Sequence, residues 1–155
     1  MMKKIALAAA SVLAVSTFAS GATAQITPGT YTLETLSGQI LEVQQSADLD
    51  CSAELFLTVN AGGTTGQITG GDLSSPPDFL CNLVSLTGFN WPVTITSNTF
   101  TVTGVGAETL LGSCTGGRLE GTYSGSVFTI NSSHDWTSDP AIYDCSVTGE
   151  LTLVP

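Results

Sequence analysis

Alternation with a period of two residues runs through most of the chain. From Cys51, the positions Cys51, Ala53, Leu55, Leu57 and Val59 fall on one side, and Ser52, Glu54, Thr58 and Asn60 on the other. Cys145, Val147, Gly149, Leu151 and Leu153 repeat the pattern against Ser146, Thr148, Glu150 and Thr152. A strand points successive side chains to opposite faces, so this period marks strands with one buried face. Runs rich in β-branched residues at 30–36, 40–43, 93–102, 118–123 and 127–131 extend the series. Turn-forming clusters of Gly, Asn, Ser and Pro separate them at 60–63, 70–72, 74–77 and 124–126. No segment beyond residue 25 carries a helical period. The pattern predicts an all-β fold, an antiparallel β-sandwich or barrel-like domain.

The N-terminus breaks the pattern. Met1-Met2-Lys3-Lys4 is a short basic leader, residues 5–19 are apolar and uncharged, and Ala22-Thr23-Ala24 offers the small residues a signal peptidase accepts. Residues 1–24 therefore read as a signal peptide cleaved after Ala24, and residues 25–155 as a single all-β domain. The apolar run is short and rich in Ala and Ser for a permanent span of about 20 residues, and nothing beyond Gln25 is apolar for longer. The expected mature protein is secreted or periplasmic and does not span a membrane.

Cleavage also changes the charge. Both lysines leave with the leader, and thirteen carboxylates then face Arg118 alone, a net charge near −12. Such a field repels nucleic acid and anionic lipid, whose recognition needs Lys and Arg. Ser and Thr supply 35 of the 131 mature residues and Gly another 16, so the surface is built mainly of hydroxyls. In an exported chain, Cys51, Cys81, Cys114 and Cys145 read as two disulfides with three pairings open. The pairing 51–81 with 114–145 is preferred because each bridge closes a loop of similar length within its own half. Each would contribute about 3–4 kcal/mol by restricting the unfolded chain. A zinc site is the rival, but no Cys-x-x-Cys pair is present.

Chemistry-bearing residues are sparse. His134, the single histidine, stands in Asn131-Ser132-Ser133-His134-Asp135-Trp136. Neighbours on one loop seldom converge into a Ser–His–Asp triad, and no Gly-x-Ser-x-Gly elbow occurs, so a surface histidine is the preferred reading. Glu34, Glu42, Glu54, Glu108, Glu120 and Glu150 could supply a glycosidase pair, but most fall on the polar phase of a strand. Asp48 and Asp50, and Asp135, Asp139 and Asp144, are compositional candidates for calcium in loops, without an Asp-x-Asp-x-Asp-Gly pattern. Phe89-Asn90-Trp91-Pro92 reads as a core plug more readily than as a binding platform, so of the candidate exposed aromatic contacts, Trp91 and Trp136, Trp136 is the better. No catalytic residue, metal or cofactor is assigned.

Three short stretches carry a resemblance: Leu80-Cys81-Asn82-Leu83, Thr87-Gly88-Phe89-Asn90-Trp91-Pro92-Val93 and Gly112-Ser113-Cys114-Thr115-Gly116-Gly117. With their order, they are similar to the secreted bacterial activators of alkane oxidation of the PraB type, over roughly residues 50–155. The resemblance implies a non-enzymatic extracellular accessory that helps cells use hydrocarbons, acting at cell-surface or oil–water interfaces. It carries over the cysteines as structural staples and no catalytic residue. Two other readings stand beside it: a structural subunit of an extracellular appendage or matrix, through self-association of strand edges, and a small secreted hydrolase using His134. Expected partners are hydrocarbon or cell-surface components.

Overall fold

The structure, a computed structural model, describes residues 26–45, 47–141 and 144–155. The expected signal peptide at 1–24 lies outside the described residues, as does Tyr143. Eleven strands follow in chain order: β1 (Gly29–Glu34), β2 (Leu41–Gln44), β3 (Asp48–Val59), β4 (Thr65–Ser74), β5 (Ser85–Thr87), β6 (Trp91–Thr96), β7 (Thr99–Thr109), β8 (Gly112–Ser124), β9 (Val127–His134), β10 (Thr137–Asp139) and β11 (Ser146–Val154). One short 3-10 turn, Phe79–Leu83, lies between β4 and β5.

Every pairing is antiparallel, and the sheet closes on itself. The ring runs β8-β9-β11-β1-β3-β4-β6-β7, and β7 pairs back onto β8. Of the two architectures that the alternation allows, the molecule adopts the barrel. Three of its eight staves are built from two pieces. β1 and β2 share the place between β3 and β11, pairing with residues 54–59 and 48–51 of β3 respectively. β6 and β5 likewise share an edge of β7, and β9 and β10 an edge of β8.

Period-two alternation explains what fills the ring. Cys51, Ala53, Leu55, Leu57 and Val59 are all buried, as the sequence pattern requires. A void of about 30 Å³ at the centre is lined by Leu33, Leu57, Ile68, Val93, Phe128 and Leu151, among others. Its lining draws on all eight staves. An eight-stranded ring is just wide enough for side chains to fill it, and here they do. Phe100 and Phe128 meet at 5.0 Å between ring centres, and Tyr123 stacks on Phe128 at 5.4 Å. Outward positions carry mostly Thr, Ser and Glu, the reverse of the apolar outer band of a membrane barrel. No helix among the described residues is long and apolar enough to cross a membrane.

The breaks in the staves account for both tryptophans. Trp91 opens β6 at the β5–β6 break and turns into the barrel, 2 % exposed. Its Nε1 donates to Thr87 O at 2.9 Å, and its ring stacks on Phe89 at 4.6 Å. Trp136 sits at the β9–β10 break, half-buried against the core and over Gly117. Burial of Trp91 agrees with its preferred reading as a core plug, whereas Trp136, the better candidate for exposure, packs partly against the core. A large ring at a stave break fills space that a continuous strand would otherwise close.

Glycines mislead at one place. The cluster Gly70-Gly71-Asp72 reads as a turn, yet β4 runs straight through it. At Gly71 (φ +151°) a Cβ would strike the Glu54 carbonyl and lie 2.6 Å from Leu55 Cδ2. Glycine there permits close approach to β3 near the register shift between Phe56 and Leu57.

Both disulfides form in the preferred pairing. Cys51 joins Cys81 with 5.6 Å between Cα atoms, and Cys114 joins Cys145 with 6.1 Å, both within the ordinary range. No free cysteine remains among the described residues, so the zinc alternative has no thiolate to use.

Candidate apolar contact site

Core-forming logic places almost every large apolar side chain inside, which makes the exceptions informative. Among the described residues, eight large hydrophobics are exposed, and five of them lie in two short segments: Phe79, Leu80 and Leu83 on the 3-10 turn, and Leu110 and Leu111 at the tip of the β7–β8 hairpin. Leu110 is 91 % exposed and Phe79 74 %. The two segments meet. Leu80, Leu83, Leu110 and Leu111 line one cleft of about 300 Å³ together with Ala47, Leu49, Val84 and Thr109. A clustered, water-facing apolar surface of this kind marks an interaction site rather than scatter.

Local sequence fixes each wall. The turn is anchored on β3 by a reciprocal pair: Asp78 N donates to Asp50 O at 3.0 Å, and Asp50 N donates back to Asp78 Oδ2 at 2.8 Å. The Cys51–Cys81 bridge bonds the next residue of β3 to the turn's centre. Within the turn, Cys81 N donates to Asp78 O and Val84 N to Cys81 O. Asn82 Oδ1 accepts from Ser75 N at 3.2 Å, and Ser52 Oγ donates to Pro76 O at 2.6 Å, which ties in the preceding loop. Cys81 is fully buried while Leu80 and Leu83 stay outside, so the bridge pulls one side of the turn inward and turns the other outward.

The opposite wall is a hairpin tip. β7 and β8 pair as far as Thr109↔Gly112, leaving Leu110 and Leu111 as the two tip residues. Thr109 Oγ1 accepts from Leu111 N at 3.2 Å and donates to Gly112 O at 3.4 Å, so the threonine braces the tip. Cys114, three positions on, is bonded to Cys145 at the entry to β11. Both bridges thus hold strands that lead into this end of the barrel.

The residues singled out from sequence for other chemistry do not assemble there. His134 Nε2 lies 3.7 Å from Asp135 Oδ2, beyond hydrogen-bond reach, with both side chains largely exposed. Ser133 Oγ, the hydroxyl next in sequence, accepts from Val147 N at 2.8 Å and so serves the β9–β11 seam. Arg118 Nε donates to Glu120 Oε1 at 2.7 Å on the outer face. Glu34, Glu54 and Asp72 stand side by side across β1, β3 and β4. Among the described residues no three of His, Cys, Asp and Glu gather as a metal-ligand group.

Two features lay beyond sequence reasoning. The apolar cleft is built from Leu80, Leu83, Leu110 and Leu111, none of which alternation marks as outward. The only signal was the doublet Leu110-Leu111 standing beside Gly112, a paired apolar tip on a strand-to-strand turn. The second feature is a niche of about 10 Å³ lined by Gln45, Trp136 and the Cys114–Cys145 bridge. Trp136 Nε1 and both polar atoms of the Gln45 side chain are buried without a hydrogen-bond partner. A niche of that size accommodates about one water molecule.

No curated protein and no solved structure matches the chain. A family model does: that of the PraA/PraB-like alkane oxidation protein activators, over residues 1–155. The match extends the likeness carried by the three short motifs to residues 1–50. With the whole chain covered, this protein belongs to the PraA/PraB-like family of alkane oxidation protein activators.

Proposed function

We propose that this protein is a secreted, non-enzymatic accessory to alkane use that works by adsorbing end-on at hydrocarbon–water interfaces. The observation that carries this reading is the grouping of Phe79, Leu80, Leu83, Leu110 and Leu111 at one end of a barrel whose outward strand positions are mostly hydroxyls and carboxylates. Transfer of such side chains from water to hydrocarbon is favourable by about 1.5–3 kcal/mol each when complete. Five together outweigh the loss of freedom on adsorption. The hydroxyl surface stays wetted, and two disulfides keep the core from spreading at the interface. Secretion is supported by the leader and by disulfides in a chain of this size.

The test is pendant-drop tension at a hexadecane–buffer interface, with mature oxidised protein against a size-matched acidic β protein. A fall in tension well beyond that of the control is the expected result; equality with the control overturns the reading.

A second reading, a subunit of an extracellular appendage or matrix, is favoured by one seam. β4 pairs with β6 only over Thr65–Ile68, and its remaining half, to Ser74, packs beside β5 with no ladder between them. Backbone groups along such a seam could pair with a strand of another chain. Negative-stain images of culture supernatant decide it: filaments or sheets containing the protein support this reading, and their absence in all growth conditions removes it.

A further inference from the structure

We propose that the cleft between the 3-10 turn and the β7–β8 tip is a binding site for a single uncharged alkyl chain, and that the carboxylates around it exclude anionic amphiphiles. This deepens the interfacial reading above and rests on it, because a surface that only adsorbs needs no cavity.

Three observations carry the proposal. The cleft is a cavity and not a flat patch: seven of its eight lining residues are Ala, Val or Leu, and the eighth, Thr109, spends its hydroxyl on Leu111 N and Gly112 O. No polar lining side chain is left to hold a headgroup. At about 300 Å³ the cleft stands at the small end of ligand sites. A methylene is close in size to a liquid water molecule of about 30 Å³, so the volume suits a chain segment of roughly ten carbons. The walls are also held before any ligand arrives, by the Cys51–Cys81 bridge and the reciprocal Asp50–Asp78 bonds.

Charge selects the occupant. Asp48 and Asp50 flank Leu49, and Glu108 precedes Thr109, so three carboxylates adjoin the lining in sequence. Arg118, the one fixed cation of the described residues, is paired with Glu120 on the outer face and lines no part of the cleft. A fatty acid or an anionic phospholipid would bring like charge to this rim without a cation to meet it. A neutral hydrocarbon chain meets no such opposition.

The experiment uses leucine methyl NMR on the mature oxidised protein at low ionic strength. The probes are decyl maltoside below its micelle concentration and decanoate at about pH 8, where the acid is ionised. Saturable shifts confined to Leu80, Leu83, Leu110 and Leu111 are expected with the maltoside, and binding of decanoate at least tenfold weaker. Across a maltoside series, affinity should rise by up to roughly fourfold per methylene and level off near the ten-carbon chain. Ala47→Trp places an indole in the cleft from an exposed bend, so the fold is not at risk. It should abolish the saturable shifts. Shifts that never saturate, that spread to interior leucines such as Leu57, or that survive Ala47→Trp overturn the proposal. So does decanoate binding as tight as that of the maltoside. If tension falls normally but no saturable site is found, the cleft proposal fails alone. If the cleft binds but tension does not fall, the interfacial function fails and the site remains.

Discussion

At the residue scale, single positions show how tightly the barrel is filled. Gly117 is buried in β8 beneath Trp136, and a Cβ built there lands on the indole ring. Gly117→Ala must push the tryptophan out of its place between the stave ends, an overpacking cost of about 1–3 kcal/mol that urea denaturation would register. An unchanged midpoint would show that Trp136 is loosely seated. Tyr123 offers a pH test. Burial raises its hydroxyl pKa above the ordinary 10.0. The folded state then resists ionisation more than the unfolded chain does. Stability is therefore intact below about pH 10 and falls as pH rises through the folded-state value. In Tyr123→Phe, denaturation midpoints measured from neutral to alkaline pH should decline less steeply above about pH 10. An identical decline in both proteins would refute the role given to burial.

Elements bring these residues together in ways that alternation foretells only in part. The inward face of β3 was legible because every second residue from Cys51 to Val59 is apolar or cysteine, and nothing else competes for the interior. β6 and β7 were legible only as one run, since Ser97-Asn98 is a two-residue turn whose reversal carries no glycine or proline. β4 was hidden by glycines that serve a close approach rather than a turn. Trp136 misled for a related reason: its loop-like surroundings in sequence are a stave break in the fold, and the break turns its ring toward the core. The cleft was not legible, because it arises where the 3-10 turn and the hairpin tip, about thirty residues apart, are drawn to one end of the barrel.

Two predictions belong to elements. Glu54 on β3 stands directly opposite Glu34 on β1 and Asp72 on β4. Like charges opposite one another across strands oppose pairing. Glu54→Lys converts both contacts to attractive ones and should stabilise the protein by about 0.5–1 kcal/mol at low salt, and less as salt screens the row. Thermal denaturation in a salt series checks it, and a destabilised variant at low salt would contradict it. Removing the Cys51–Cys81 bridge as Cys51→Ala/Cys81→Ala should cost about 3–4 kcal/mol, because the bridge closes a loop with a sequence separation of 30. It leaves the turn held to β3 mainly by the Asp50–Asp78 pair, so adsorption at hexadecane should weaken even at temperatures where the variant remains folded. Full adsorption by a folded variant would separate the bridge from the site.

On the scale of the whole molecule, the barrel is two-ended. Apolar side chains fill its interior, hydroxyls and carboxylates clothe its staves, and among the described residues one end alone presents a group of exposed leucines with Phe79 beside them. A strong negative charge keeps such molecules apart in solution and away from anionic surfaces, without opposing contact with an uncharged oil. Membership in a family of alkane oxidation activators fits a protein that brings a wetted, rigid body to a hydrocarbon surface. The proposed interfacial function therefore requires orientation, with the leucine-bearing end making the contact.

The most direct test compares the parent protein with Leu110→Asp/Leu111→Asp in pendant-drop tension at hexadecane, at matched concentration and with folding confirmed by circular dichroism. Both substitutions lie at an exposed hairpin tip, outside the buried core. The account predicts that the parent lowers the tension and that the variant's interfacial affinity drops by at least about tenfold, since two leucine side chains would be lost from the contact. A variant that lowers the tension as fast and as far as its parent would contradict it.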